Sequence, residues 1–160
     1  MLKLNNNWQQ HIDNCSNWDA SSIPSQGKFF QKYISPKIDK KKKVFVIISD
    51  ALRYESGKEL LNRIQQEDRY ECVIEPCFSM LPSYTQLGMA SLLPHKELSF
   101  SKEKPEIIYA DNVSTQGTSN RAKILKQNGT DRSSAMKVDD LMKLIEVTHL
   151  RITPSLLPLV

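Results

Sequence analysis

The stretch Val44-Phe45-Val46-Ile47-Ile48-Ser49-Asp50 decides the fold class of this chain. Its first five residues are all β-branched or aromatic, and they do not alternate with polar residues. A strand of this kind is buried on both faces, which is typical of the centre of a parallel sheet. Ser49 and Asp50 then place polar side chains at the carboxyl end of the predicted strand.

Helical and extended segments alternate along the rest of the chain. The predicted strands cover 44–48, 70–78 and 104–109, and the predicted helices cover 54–67, 85–93, 119–127 and 138–147. This order indicates an α/β fold, a mostly parallel sheet flanked by helices. In the first of these helices Gly57, Leu60, Leu61 and Ile64 share one face, and Glu59 with Arg63 forms an i,i+4 ion pair on the other.

The segments before the first strand are less regular. Trp8, Ile12 and Trp18 indicate a short helix that docks onto an apolar surface, within a linker-like stretch 1–27. Residues 28–38 place Phe29, Phe30, Tyr33 and Ile34 at helical spacing, and Pro36 should end that helix. We therefore divide the chain into 1–27, a domain over 28–147 and an unpatterned apolar tail over 148–160.

Composition excludes several classes of protein. The chain has 160 residues and a formal charge of +4, and no apolar run is long enough to span a membrane. Its three cysteines, an odd number without a signal peptide, predict reduced thiols and a cytoplasmic location. The run Lys40–Lys43 either contacts nucleic-acid phosphates or is a solvated loop that keeps the strand edge soluble.

Two polar residues follow predicted strands, where ligands of open α/β sheets bind. Asp50 needs a cation or hydrogen-bond donors if it is buried, and the alternative is that it caps the next helix. Thr85 begins a largely apolar helix, where a hydroxyl near free N–H groups suits a phosphate. Thr85 needs a base or a metal to become a nucleophile, and the alternative is a cap, with Ser83 competing for that role.

Two segments together resemble one known family. They are VFVIISDALRYE (44–55) and LPSYTQLGMASLLPH (81–95). Both are similar to the PglZ domain of bacterial BREX phage-defence systems, a member of the alkaline phosphatase superfamily. The resemblance covers roughly residues 28–146 and implies a partial alkaline-phosphatase-like core.

The resemblance implies roles for individual residues. Asp50 matches an aspartate that binds a divalent metal, with zinc, manganese or magnesium as the expected ion. Thr85 matches the metal-bound nucleophile that attacks phosphorus, and Ser83 matches the small residue two positions earlier. Arg53 also lies in the matching segment, where it meets an anion, pairs with Glu55 or is structural.

The histidines depart from the family pattern. Further metal ligands of that superfamily follow the nucleophile as Asp-x-x-x-His and Asp-His pairs, but only His95 and His149 follow Thr85 here. Neither has an aspartate at the required spacing. The departure predicts a truncated PglZ-type fragment that lacks most metal ligands, binds no metal by itself and is inactive.

Three functions follow as hypotheses. The first is phosphate-ester hydrolysis in full-length relatives, together with other BREX defence proteins, with this chain as a fragment of the enzyme. The second is a non-catalytic interaction module of a defence complex, which an exposed sheet edge would let pair or oligomerise. The third is nucleic-acid binding through Lys40–Lys43, with a steep salt dependence.

Overall fold

The computed structural model of the chain describes residues 2–16 and 22–148, with side chains up to residue 144. Among these residues, four α-helices precede a small three-stranded sheet and two α-helices follow it. The helices are α1 (Leu2–Asp13), α2 (Ser35–Asp39), α3 (Tyr54–Gln65), α4 (Thr85–Ser91), α5 (Gly117–Asn128) and α6 (Val138–Thr148), and the strands are β1 (Leu98–Phe100), β2 (Ile108–Ala110) and β3 (Val113–Ser114). The α/β class is confirmed.

The sheet is antiparallel, so the prediction of a mostly parallel sheet is wrong. Its order is β1-β2-β3, with Leu98 opposite Ala110 and Tyr109 opposite Ser114. The turn between β2 and β3 holds Asp111 and Asn112 at φ 48° and 68°. Two consecutive left-handed residues make the hairpin turn whose twist matches an antiparallel pair. Pairing between segments adjacent in sequence therefore sets the strand direction.

The predicted strand over 44–48 does not form in the described part of the chain. Its residues belong to no helix or strand and make no backbone hydrogen bond to another described residue, and Phe45 to Ile48 are 42–64% exposed. A strand exists only where a neighbouring backbone pairs with it, and the predicted neighbour 70–78 is itself irregular. Phe78 forms an isolated parallel bridge with Ser25 instead.

The helices agree better with the sequence pattern. α3, α4, α5 and α6 fall within about two residues of their predicted bounds. On α3, Gly57 and Leu61 are buried as predicted, while Leu60 is 39% exposed. The Arg63 guanidinium lies 2.6 Å from the Glu59 carboxylate, which confirms the predicted ion pair.

Pro36 does not end the helix before it, contrary to the prediction. A π-helical turn over Phe30–Ile34 runs directly into α2, and Pro36 lies in the first turn of α2. Proline is tolerated there because the N–H groups of a first helical turn need no partner within the helix. The predicted apolar face is confirmed, since Phe29, Phe30 and Ile34 form a buried cluster with Tyr33 packed against it.

The N-terminal helix α1 contains Trp8 and Ile12, as predicted, but it has no buried residue. Trp8 is 60% exposed, so the predicted docking onto an apolar surface is not observed among the described residues. Trp18 and the tail from residue 149 onward lie outside the described residues. Within the described ranges, no helix combines the length and the apolar character needed to cross a bilayer.

Two further buried clusters hold α4 and α5 against the sheet. Leu87 and Ala90 of α4 pack against Ile108 of β2. Ala110, at the end of the same strand, packs against Leu93 and against Ile124 of α5. The sheet therefore fixes the position of α4, the helix that begins at Thr85.

Candidate functional site

The candidate site is an open pocket of about 390 Å³ at the start of α4. Its walls come from three stretches that are distant in sequence: Gln26, residues 48–51 and residues 77–92. Asp50, Ser83 and Thr85 all lie in the lining. The structure therefore brings together three of the four residues that the sequence singled out.

Thr85 and Asp50 contact each other directly. The Thr85 hydroxyl Oγ1 donates a hydrogen bond to Asp50 Oδ2 across 3.3 Å. Both side chains are exposed to solvent, so a small molecule can reach the pair. A threonine hydroxyl becomes a nucleophile only with a base or a metal beside it, and the Asp50 carboxylate can act as a base or as a metal ligand.

Asp50 is not a helix cap. Helix α3 begins at Tyr54, its N-cap is Arg53, and no side chain accepts a hydrogen bond at that cap. Ala51, directly after Asp50, adopts φ 57°, a left-handed conformation that costs a residue with a side chain. This turn separates Asp50 from the helix, and the carboxylate faces Thr85 instead.

Thr85 is not a cap either. The N-cap of α4 is Tyr84, which is extended and has no side-chain cap hydrogen bond, and Thr85 is the first helical residue. Its hydroxyl is therefore not used by the backbone of α4. Ser83 does not replace it as a cap, and its side chain lies in the pocket.

The basic groups considered for anion binding lie outside the pocket lining. Arg53 is exposed, and within the described ranges its side chain makes neither a hydrogen bond nor an ion pair with Glu55. The run Lys40–Lys43 is exposed on the loop after α2. The predicted anion contacts of Arg53 and of the lysine run stay predictions.

Cys77 is a residue of the pocket that the sequence analysis did not single out. Burial raises the pKa of its thiol above the ordinary value. A thiol with a raised pKa stays protonated near neutral pH and is a poor nucleophile. Thr85 is therefore not in competition with a thiolate in this pocket.

The described residues do not form a complete metal site. They contain no cluster of three or more histidine, cysteine, aspartate or glutamate side chains that could hold an ion. Asp50 and Thr85 offer oxygen donors, whereas zinc takes four ligands in structural sites and three protein ligands in catalytic ones. His95 contacts the Leu93 carbonyl at 2.7 Å rather than lining the pocket, and His149 lies outside the described residues.

Gln26 is a second lining residue that sequence reasoning missed. Its side chain reaches the backbone of Met80 and Gly88 on either side of Thr85. No local pattern marks it, because these contacts bridge 54 and 62 residues of sequence. Gln26 meets Met80 and Gly88 only in the folded chain.

Comparison with known proteins agrees with the resemblance of the two motifs. The family model for the BREX system PglZ alkaline phosphatase-like domain matches residues 29–152. An alkaline phosphatase-like protein BrxZ of Escherichia coli O9:H4 (strain HS) is 40% identical over 149 residues, which is 90% of this chain. An alkaline phosphatase-like protein PglZ of Bacillus cereus (strain H3081.97) is 40% identical over 124 residues, or 78% of the chain.

The chain spans only a small part of these relatives, 17% of the first and 14% of the second. No solved structure matches it significantly.

Proposed function

Since the chain belongs to the PglZ family of alkaline phosphatase-like domains of BREX systems, we propose that its pocket is the nucleophile-bearing part of a phosphate-ester hydrolase site. The site would act in phage defence with other BREX proteins. The contact of Thr85 Oγ1 with Asp50 Oδ2 is the observation that carries this proposal. It supports the proposal because neither Asp50 nor Thr85 caps a helix, so helix capping does not account for the two residues.

The proposed chemistry is a displacement at phosphorus. Thr85 Oγ1 forms a bond to phosphorus, and its proton moves to Asp50 Oδ2, which already accepts the hydrogen bond. The bond between phosphorus and the ester oxygen opposite breaks, and the alkoxide leaves with the electron pair and takes a proton from water to become the alcohol. Ser83, in the same lining, contributes a hydroxyl donor to a phosphoryl oxygen. A water oxygen then forms a bond to phosphorus, the bond between phosphorus and Thr85 Oγ1 breaks, and inorganic phosphate leaves. Thr85 Oγ1 takes back the proton held by Asp50.

We propose that the chain by itself turns over phosphate esters negligibly. Phosphoryl transfer depends on positive charge that neutralises the phosphoryl oxygens. Among the described residues that line the pocket, none is a lysine or an arginine. Zinc, manganese or magnesium stays a prediction for the family site, to which the described residues offer Asp50 and Thr85 but not a full coordination shell.

A chimera tests the nucleophile. This chain replaces the matching 149-residue segment of the Escherichia coli relative, and aryl phosphate hydrolysis and phage plaque formation are measured. Thr85→Ala should abolish both, whereas Thr118→Ala, at the start of α5, should leave both unchanged. A Thr85→Ala chimera as active as its parent would remove Thr85 from the chemistry.

The isolated chain tests the second part of the proposal. It is assayed with an aryl phosphate and a phosphodiester in the presence of zinc or manganese. We expect no turnover above that of the Thr85→Ala chain. Robust turnover that disappears in Thr85→Ala would show that the chain is an enzyme by itself.

A non-catalytic interaction module is the second candidate, and the exposed segment 45–48 favours it. Its apolar side chains are 42–64% exposed and its backbone is not paired within the described ranges. An unpaired, apolar segment of this kind fits strand addition by a partner. Ile47→Lys, at the most exposed of the four positions, should then abolish partner binding or self-association, while Asp50→Ala and Thr85→Ala should not.

Size-exclusion chromatography with light scattering separates these outcomes. A clean monomer at high protein concentration, together with no captured BREX protein, would count against the interaction module. The lysine run makes a separate prediction, since DNA binding through it should weaken steeply as salt rises.

A further inference from the structure

The match to the PglZ family model begins at residue 29. Gln26, which precedes that match, also lines the pocket. The Gln26 N–H donates to the Phe78 carbonyl across 2.8 Å, and the Phe78 N–H donates to the Pro24 carbonyl across 2.9 Å. These two bonds pair residues 24–26 with the chain that leads into α4. They hold the backbone of Gln26 beside the pocket.

The side chain of Gln26 then bridges two segments of the site. Its Oε1 accepts the Met80 N–H across 3.4 Å, and its Nε2 donates to the Gly88 carbonyl across 3.4 Å. A Cβ at Gly88 would lie 3.6 Å from Gln26 Nε2, an ordinary van der Waals contact, so the approach does not depend on glycine. One amide therefore links the chain before Thr85 to Gly88, at the end of the helical turn that begins at Thr85.

That helical turn is the one that carries Thr85. The Gly88 N–H donates to the Tyr84 carbonyl across 3.0 Å and closes the first turn of α4. The Gln26 amide holds the Gly88 carbonyl, which belongs to the next peptide of the helix, and in this way it restricts the orientation of the turn. Met80 lies five residues before Thr85, and Gly88 lies three residues after it. The side chain of Gln26 binds the backbone of both.

We propose that Gln26 is a positioning residue, which keeps the first turn of α4 oriented so that Thr85 Oγ1 faces Asp50. Gln26 acts through Met80 and Gly88 and does not touch Thr85. This inference rests on the proposed function, because the orientation of Thr85 matters for catalysis only if Thr85 is the nucleophile. The orientation itself can be measured without an activity assay. It makes part of the stretch before the family match a part of the site.

Gln26→Met tests the proposal, because methionine has a similar length and no hydrogen-bonding amide. Gln65→Met is the matched control, since Gln65 Nε2 also donates to a carbonyl across 3.4 Å, that of Cys72, away from the pocket lining. The readouts are NMR signals of the folded chain: amide exchange at Met80, the Thr85 methyl shift and the nuclear Overhauser contact between Thr85 and Asp50.

In Gln26→Met we expect amide exchange at Met80 to become about threefold faster or more, in line with the loss of one hydrogen bond. The Thr85 methyl signal should move, and its contact with Asp50 should disappear. Gln65→Met should leave all three readouts unchanged. A Thr85–Asp50 contact that persists in folded Gln26→Met would overturn the proposal.

Gln26→Glu keeps the proposal testable if Gln26→Met fails to fold. The carboxylate still accepts from Met80 but cannot donate to Gly88. Exchange at Met80 should then stay slow while the Thr85 contact is lost, and retention of that contact would also overturn the proposal. A chimera that carries Thr85→Ala and is fully active would refute the proposed function. The NMR experiment would still show whether Gln26 orients Thr85.

Discussion

The hydroxyl of Thr85 lies 3.3 Å from the carboxylate of Asp50, although 35 residues separate them in the sequence. Both groups are exposed, so each is also hydrated when the contact is broken. A hydrogen bond of this length and exposure contributes little to stability. Under the proposed function, its importance lies in orienting the Thr85 hydroxyl and the Asp50 carboxylate toward each other.

The first prediction concerns this pair. Thr85→Val and Asp50→Asn should each change the free energy of unfolding by less than about 1 kcal/mol, because exposed hydrogen bonds exchange with water. A double-mutant cycle measured by denaturant unfolding should give a coupling below about 1 kcal/mol. A coupling above about 2 kcal/mol would indicate that the pair is part of a buried network.

The second prediction concerns the core under α5. Ile124 is fully buried at 0% exposure and packs against Ala110 and Leu93. Ile124→Ala should lower the free energy of unfolding by about 2–5 kcal/mol, because it removes buried methyl groups and leaves a cavity. Val138→Ala, at a position 59% exposed, is the control and should change it by less than about 0.5 kcal/mol.

The third prediction concerns pH. Partial burial acts to raise the pKa of Asp111, but hydrogen bonds from the backbone N–H groups of Glu97 and Lys96 outweigh it and lower the pKa below its ordinary value of 3.8. Since the folded-state pKa is depressed, the stabilisation is fully present above that ordinary value and is lost as the pH falls through the folded-state pKa.

Urea unfolding between pH 6 and pH 3 measures this effect. Asp111→Asn keeps an acceptor oxygen but no charge, so its stability should fall less than that of the parent chain as the pH drops below the ordinary carboxyl range. Parallel pH curves for the two proteins would show that the charge of Asp111 does not contribute to stability.

The fourth prediction concerns the turn after Asp50. Ala51 at φ 57° has a side chain in a region that favours glycine. Ala51→Gly should raise the free energy of unfolding by up to about 1 kcal/mol, since relief of the backbone strain exceeds the added entropy of the unfolded chain. Ala122→Gly, inside α5, should lower it by about 1 kcal/mol. A loss of stability in Ala51→Gly would show that the turn is not strained.

The helices and the site pair could be predicted from the sequence because both depend on local signals. Apolar residues at helical spacing marked α3 and α6, and the start of α4 was marked at Thr85. The positions of Asp50 and Thr85 after predicted strands left a capping role open, and the resemblance to the PglZ domain made the two residues candidates for a site. Their contact at 3.3 Å is consistent with that placement.

The strands could not be predicted in the same way because pairing is not a local property. Val44 to Ile48 have the composition of a central strand, but composition does not supply a neighbour, and the described residues offer none. The hairpin over 108–114 was missed in part because its turn is Asp111-Asn112 rather than a turn with glycine. Gln26 was missed because its partners lie more than fifty residues away.

The short sequence separations around the sheet have a consequence for the order of folding. Residues 85–128, which carry α4, the three strands and α5, contact one another over short stretches of chain, and such contacts form early because their loops cost little entropy. Gln26 and Gly88 are 62 residues apart, and their contact forms late because closing so long a loop costs more entropy. We expect α4 to be in place before the segments that complete the pocket, so that the pocket forms around Thr85 as the last event of folding.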